Sequence, residues 1–272
     1  VNSNITWQNF YQEINRKDAE INLEKASLSY AQVEYPDLKI DRYLNILDAM
    51  AEEVIERLPD NRYPLKIIQV INQYLFDDLR FNGDRENYYD PRNSFLDRVI
   101  ERRVGIPITL SVIYLAIAKR IDFPMVGIGM PGHFLIRPDF EGAGIFVDAF
   151  DRGQILFERD CEERLSEIYQ QPIQLESSFL QPVSNRQILA RMLTNLKLIY
   201  LNSQQLSKAL EMIQGLLILF PESPKERRDR GLLYYHFGEW QKAAEDLEIY
   251  LAFLPNAEDS LQIRQLLQKI VN

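Results

Sequence analysis

The sequence predicts an α+β chain, with a mostly helical core and small antiparallel sheet over 1–175 and an all-α region over 186–272. Three patterns carry this expectation. Apolar residues recur at helical spacing up to about residue 120. After Phe123-Pro124 the pattern turns to short β-branched and aromatic runs. Near the C-terminus the chain repeats itself every 34 residues.

Taken in order, the stretch ASLSYAQVEYPDLKIDRYLNILDAMAEEVIERL reads as two helices parted by Tyr35-Pro36-Asp37. In the second, Tyr43, Ile46, Leu47, Met50, Val54 and Leu58 form one buried stripe. Pro64 suits the first turn of a helix running to Leu79. The polar run at 80–94 is a long, turn-rich loop. A short helix, SFLDRVIERR, then leads to Gly105, and Pro107 opens the apolar helix TLSVIYLAIAKR. MVGIGM, HFLIRP and GIFVDAF, at 125–130, 133–138 and 144–150, read as strands.

The join at 171–185 has two prolines but keeps apolar residues, so it reads as an ordered connector. Beyond it, Tyr200, Ala209 and Pro221 recur as Tyr234, Ala243 and Pro255. A 34-residue period is that of the tetratricopeptide repeat, a helical hairpin stacked on its neighbours. Small Ala209 and Ala243 let paired helices approach, the tyrosines fill the space between helices, and the prolines end the second helices. Helices are expected near 187–201, 205–219, 225–237, 240–253 and 258–271, the last as a cap. Two repeats rarely stand alone, so they are expected to lean on the preceding domain.

Composition excludes several function classes. Apolar residues at 46% and charged residues at 26% fit a soluble globular chain. No apolar run reaches the roughly 20 residues that span a bilayer, so no membrane partner is expected. The N-terminal stretch lacks the basic and apolar regions of a secretory signal. A single cysteine, Cys161, permits no internal disulfide and suits the cytoplasm. Residues 1–186 hold 21 Lys/Arg against 30 Asp/Glu, which repels a phosphate backbone and argues against nucleic acid. Lys225, Arg227, Arg228 and Arg230, interleaved with Glu226 and Asp229, read as a solvated helix face. Two isolated histidines supply no metal-ligand spacing, so neither metal nor cofactor is expected.

The order helix, His strand, Asp strand is that of papain-like and transglutaminase-like thiol enzymes, with the nucleophile at the helix N-terminus. The runs EYPDL, YLFDDLRFNG, YDPRNSFLDRVIERRVGIPITLS, PGHFLIR and FVDAFDRG carry a closer likeness. From Tyr35 to about Leu165 the chain resembles the SirB-type transglutaminase-like family, whose members commonly carry tetratricopeptide repeats after the core. The resemblance implies a transglutaminase-like (papain-like) core in which His133 matches the histidine and Asp148 the acid. It places Pro107, which cannot attack a carbonyl, where the cysteine would stand. Thr109 and Ser111 remain candidate hydroxyl nucleophiles, or helix residues bonded to backbone carbonyls one turn back. His133 and Asp148 can equally serve as a structural clamp or bind a ligand.

Cys161 sits among carboxylates that disfavour a thiolate and reads as an incidental helix cysteine. His236 reads as a surface or packing residue. Asn93 is expected to cap a helix, and Arg102 or Arg103 to pair with an acid beneath the site. Two functions follow. One is a non-catalytic interaction or regulatory adaptor whose repeats hold a protein or peptide partner. The alternative is a hydrolase or acyltransferase using Ser111 or Thr109 with His133 and Asp148.

Overall fold

The computed structural model describes residues 3–140 and 142–271, with side chains for 7–140 and 142–270. Val1 and Asn2, the start of the N-terminal stretch read above, lie outside the described residues. The chain forms two compact units that part between Met192 and Leu193.

In the first unit, α1 (Ser3–Ile14), α2 (Leu23–Ala31), α3 (Ile40–Arg57) and α4 (Pro64–Asn72) come first. Tyr43, Leu47, Met50 and Val54 of the expected stripe are buried, while Ile46 and Leu58 are half-buried. Pro64 occupies the first turn of α4, as the missing N–H there requires no partner. The helix does not continue regularly to Leu79. Gln73–Asp78 widens into a π-helical turn, which places Phe76 against Tyr114 at a ring separation of 6.4 Å.

The 80–94 loop is pinned at both ends. Its two-residue strand β1 (Asn82–Gly83) pairs in parallel with β2 (Val104–Gly105), and a 3₁₀ turn covers Pro91–Ser94. Between them runs α5 (Leu96–Arg102). The following helix, α6 (Pro107–Arg120), is apolar nearly all round and buried on most faces, as the centre of a core demands.

The sheet has strands β3 (Met125–Ile128), β4 (Leu135–Pro138), β5 (Phe146–Asp148) and β6 (Gln154–Leu156), all antiparallel in that order. Ile136 pairs with Val147, and both are fully buried. The sheet therefore matches the predicted class and adds β6, which the sequence reading lacked. Helix α7 (Glu158–Tyr169) follows it. The connector is ordered: Leu180 is buried, and Val183 N–H donates to the Gly127 carbonyl at 2.9 Å.

Helix α8 (Asn185–Asn202) begins where the Asp18 carboxylate accepts from the Asn185 and Arg186 N–H groups, 2.9 and 3.0 Å away. The repeat region was expected from 186, but the first two turns of α8 belong to the core. Ile188 reaches Gly127 and Met192 reaches Ser27, so the division falls inside the helix.

The second unit holds α9 (Leu206–Leu219), α10 (Pro224–His236), α11 (Trp240–Phe253) and α12 (Ser260–Val271), within two residues of the expected bounds. Ala209 and Ala243 are fully buried. A Cβ on Gly231 would stand 2.8 Å from Leu247, so α10 and α11 approach too closely for a side chain there. Phe220 and Leu254, before the prolines, take φ of −135° and −129°, outside the helical range. Gln204 and Gly238, again 34 apart, share the left-handed conformation at φ 59° and 75°.

The expectation of a solvated basic face is overturned. Arg227 and Arg230 both meet the buried Asp246 carboxylate, and Arg228 meets Asp229 and Asp259. Buried Lys197 bonds Glu226 and Asp229 at 2.8 and 2.6 Å. These charges cross-link α8, α10, α11 and the start of α12 because α10 has few apolar residues with which to pack. His236 is exposed and meets Phe237 edge-on, as a surface residue.

Candidate active site

Two glycines set the stage. Gly83 and Gly105 face each other across the β1–β2 pair. A Cβ on Gly83 would lie 2.5 Å from the Phe150 ring, and one on Gly105 would lie 2.9 Å from Thr109 Oγ1. Only glycine permits this close approach, which brings Phe150 and the first turn of α6 to the same strand pair.

Pro107 occupies the first turn of α6 and is buried. The Thr109 hydroxyl accepts from Ile106 N–H at 3.1 Å and donates to the Asn93 carbonyl at 2.8 Å. It thus caps the helix from its third position and ties it to the preceding 3₁₀ turn. Ser111 Oγ is fully buried and has no hydrogen-bond partner among the described residues. It does not make the expected bond to a carbonyl one turn back.

His133 does not lie within a strand. It ends the turn Met130–His133, where Gly132 takes φ 72° and the His133 N–H donates to the Met130 carbonyl. Strand β4 starts two residues later, so the histidine sits on the approach to the second strand of the sheet. Its Nε2 lies 2.7 Å from Asp148 Oδ2. Asp148 ends β5, and its other oxygen accepts from the Phe150 and Asp151 N–H groups at 3.0 and 3.2 Å. Arg164 of α7 stands 3.8 Å from Asp148 Oδ2.

Burial alone would raise the Asp148 carboxyl. The bond and charge of His133, then Arg164 and the backbone N–H groups, outweigh it and hold the carboxyl below the ordinary Asp range. Asp148 therefore fixes the imidazole through Nε2 and leaves Nδ1 as the second ring nitrogen. Phe150 meets the ring edge-on at 6.2 Å. No hydroxyl or thiol among the described residues hydrogen-bonds to it.

The structure thus joins His133 to Asp148 and leaves Thr109 and Ser111 without a bond to either. Cys161 is fully buried in α7, and burial, then Asp160 and Asp148, push its thiol up to about 12. Asn93 is not a cap. Its amide donates to Asp84 and to the Asn87 carbonyl, while Asp90 accepts from Arg92 N–H at the head of that turn. Arg102 bonds Asn93 and faces Asp84 and Asp90, and Arg103 donates to the Leu79 carbonyl. The arginine near the acid beneath the site is Arg164. Nothing in the sequence marks it out: it stands in a run of mixed charges, 16 residues after Asp148, and only the packing of α7 brings the two together. Among the described residues, no group of three or more His, Cys, Asp or Glu side chains could hold a metal ion. No helix among them is long and apolar enough to cross a membrane.

Residues 41–194 match the transglutaminase-like superfamily, and residues 196–268 match the tetratricopeptide repeat. A UPF0162 protein of Xylella fastidiosa (strain 9a5c) is 34% identical over 251 residues, covering 91% of this chain and 89% of that protein. A UPF0162 protein of Vibrio cholerae is 30% identical over 235 residues, covering 86% and 84%. F-box only protein 21 of Homo sapiens is 30% identical over 189 residues, covering 64% of this chain and 29% of that protein. No solved structure matches. With its site geometry, these matches and a repeat region behind the core, the chain belongs to the transglutaminase-like superfamily in the two-part form it shares with the UPF0162 proteins.

Proposed function

We propose that the protein is a non-catalytic interaction or regulatory adaptor, a degenerate transglutaminase-like core joined to repeats that bind a protein or peptide. The observation that carries this reading is Pro107 in the first turn of α6, at the corner where the family resemblance puts the thiol. Thr109 is engaged as a cap, and the sole thiol, Cys161, is buried and held protonated. Leu198 and Leu232, 34 residues apart on the first helices of the two repeats, are 49% and 39% exposed. Such recurring exposed leucines suit a partner segment. The SirB-type subgroup and a cytoplasmic setting belong to the same reading, on the run YDPRNSFLDRVIERRVGIPITLS and the single cysteine.

Affinity capture from cell extract tests it. Partners of the intact chain should be lost with Leu198→Glu and Leu232→Glu and kept with His133→Ala. Loss with His133→Ala alone would move the function to the core. One observation favours the second reading, a hydrolase or acyltransferase: Ser111 Oγ is unpartnered while the His133–Asp148 pair is intact. Stoichiometric labelling of Ser111 by an acyl phosphonate, abolished by His133→Ala, would establish that reading and sink the adaptor.

A further inference from the structure

Beside the His133–Asp148 pair lies a cation that forms no ion pair among the described residues. Arg191, in the second turn of α8, donates from Nη1 and Nη2 to the Met130 carbonyl at 3.2 and 3.1 Å, and from Nη2 to the His133 carbonyl at 2.7 Å. Its guanidinium lies 5.6 Å from the centroid of the Phe134 ring. The ionisable groups near enough to act on its charge are the phenols of Tyr88 and Tyr169, the latter 46% exposed, and no carboxylate among the described residues pairs with it. The other arginines near the site, Arg85 and Arg164, each pair with Asp151.

A guanidinium has five N–H donors in a rigid fork. Three contacts hold the His133 turn, which leaves the Nε–H and one Nη1–H unengaged. Removing such a cation from water without a counter-charge is costly, and burial accordingly pulls Arg191 below the ordinary arginine pKa. Tyr88 is half-buried with its ring edge-on to Phe150 at 6.0 Å, and Phe150 in turn meets His133. The Tyr88 hydroxyl has no hydrogen-bond partner among the described residues.

We infer that Arg191, with the Tyr88 and Tyr169 hydroxyls, forms a subsite for a carboxylate next to the His133–Asp148 pair. A monoanion matches the single unpaired cation, whereas a phosphate dianion would bring excess charge to an acidic unit. The shared chemistry admits two sources, the C-terminus of a peptide or a small free carboxylate. The subsite lies within the first unit, so it stands or falls independently of partner binding by the repeats.

The test is titration of the full chain with acetyl-tetraalanine as the free acid, its C-terminal amide, acetate and inorganic phosphate, followed by the NMR signals of arginine Nε–H groups. The free acid should shift the Arg191 Nε–H with a Kd on the order of 1 mM or tighter. The amide should bind at least about tenfold more weakly. Tighter binding of the peptide acid than of acetate identifies a peptide terminus, and equal binding identifies a small carboxylate. Arg191→Gln, followed by the backbone amide signals of His133 and Phe134 because the Nε–H reporter is gone, should weaken binding about tenfold or more. Tyr88→Phe, which leaves the three Arg191 contacts in place, should weaken it about three- to fivefold. Equal binding of acid and amide, tighter binding of phosphate, no carboxylate binding, or unchanged affinity in both variants would each overturn the inference.

Discussion

At the His133 corner the polar groups are paired and oriented, whereas at the first turn of α6 they are capped, buried or absent. Asp148 uses one oxygen for the imidazole and the other for two backbone N–H groups. In α6, Pro107 has no reactive group, Thr109 serves the backbone and Ser111 touches no polar partner among the described residues. The contrast separates a bonded His–Asp pair from a helix turn without a reactive group. The pair joins the turn before β4 to the end of β5, and that role does not require a nucleophile.

The largest expected effect comes from breaking the intact corner. Asp148→Ala leaves a buried imidazole and two backbone donors unpaired and should cost about 3–5 kcal/mol in urea unfolding. Because the Asp148 pKa is lowered by folding, its contribution is present above the ordinary Asp value and is lost as pH falls through the depressed one. The stability gap between wild type and the variant should therefore narrow below about pH 4. A gap independent of pH would show that the carboxylate's charge is not what the fold uses.

Next comes Thr109→Val, which removes the cap and the link to Asn93 and should cost about 1–2 kcal/mol in the same measurement. Pro107→Cys sharpens the comparison most directly. It should change stability by about 1 kcal/mol or less and place a thiol at a helix N-terminus, which lowers its pKa, but at a buried position, which raises it. Iodoacetamide at neutral pH should therefore leave both position 107 and Cys161, its thiol pushed up to about 12, unmodified in the folded chain and alkylate both in urea. Rapid alkylation of position 107 in the folded chain would show an open, activated nucleophile corner and favour the enzyme reading.

The smallest effect belongs to Ser111→Ala. With no partner for Oγ, its loss should be neutral or slightly stabilising, within about 1 kcal/mol. A large destabilisation would mean that the hydroxyl is bonded after all.

Much of this was legible in the chain itself. The stripe from Tyr43 to Val54 and the Pro64 start follow from local geometry, as do the 34-residue echoes of Tyr200, Ala209 and Pro221. His133 and Asp148 stand out in their motif runs, and the structure puts them 2.7 Å apart. Other features were not legible. Asn93 sits before a helix in sequence, yet the folded loop turns its amide to Asp84, so proximity misled the capping argument. The basic cluster of α10 looked solvent-bound because its carboxylate partners Asp246 and Asp259 lie 16 or more residues away.

Sequence alone determined the succession of helices, short strands and repeats, because periodicity, proline and glycine act over a few residues. It also determined that no thiol stands at the α6 corner, since that is a matter of residue identity. Only the tertiary structure decided which charges found partners. Arg164 came to Asp148 and Arg191 to the His133 turn across long stretches of chain, and the latter was left without a carboxylate among the described residues. Electrostatic pairing depends on distance and burial, which the chain acquires only when its elements pack.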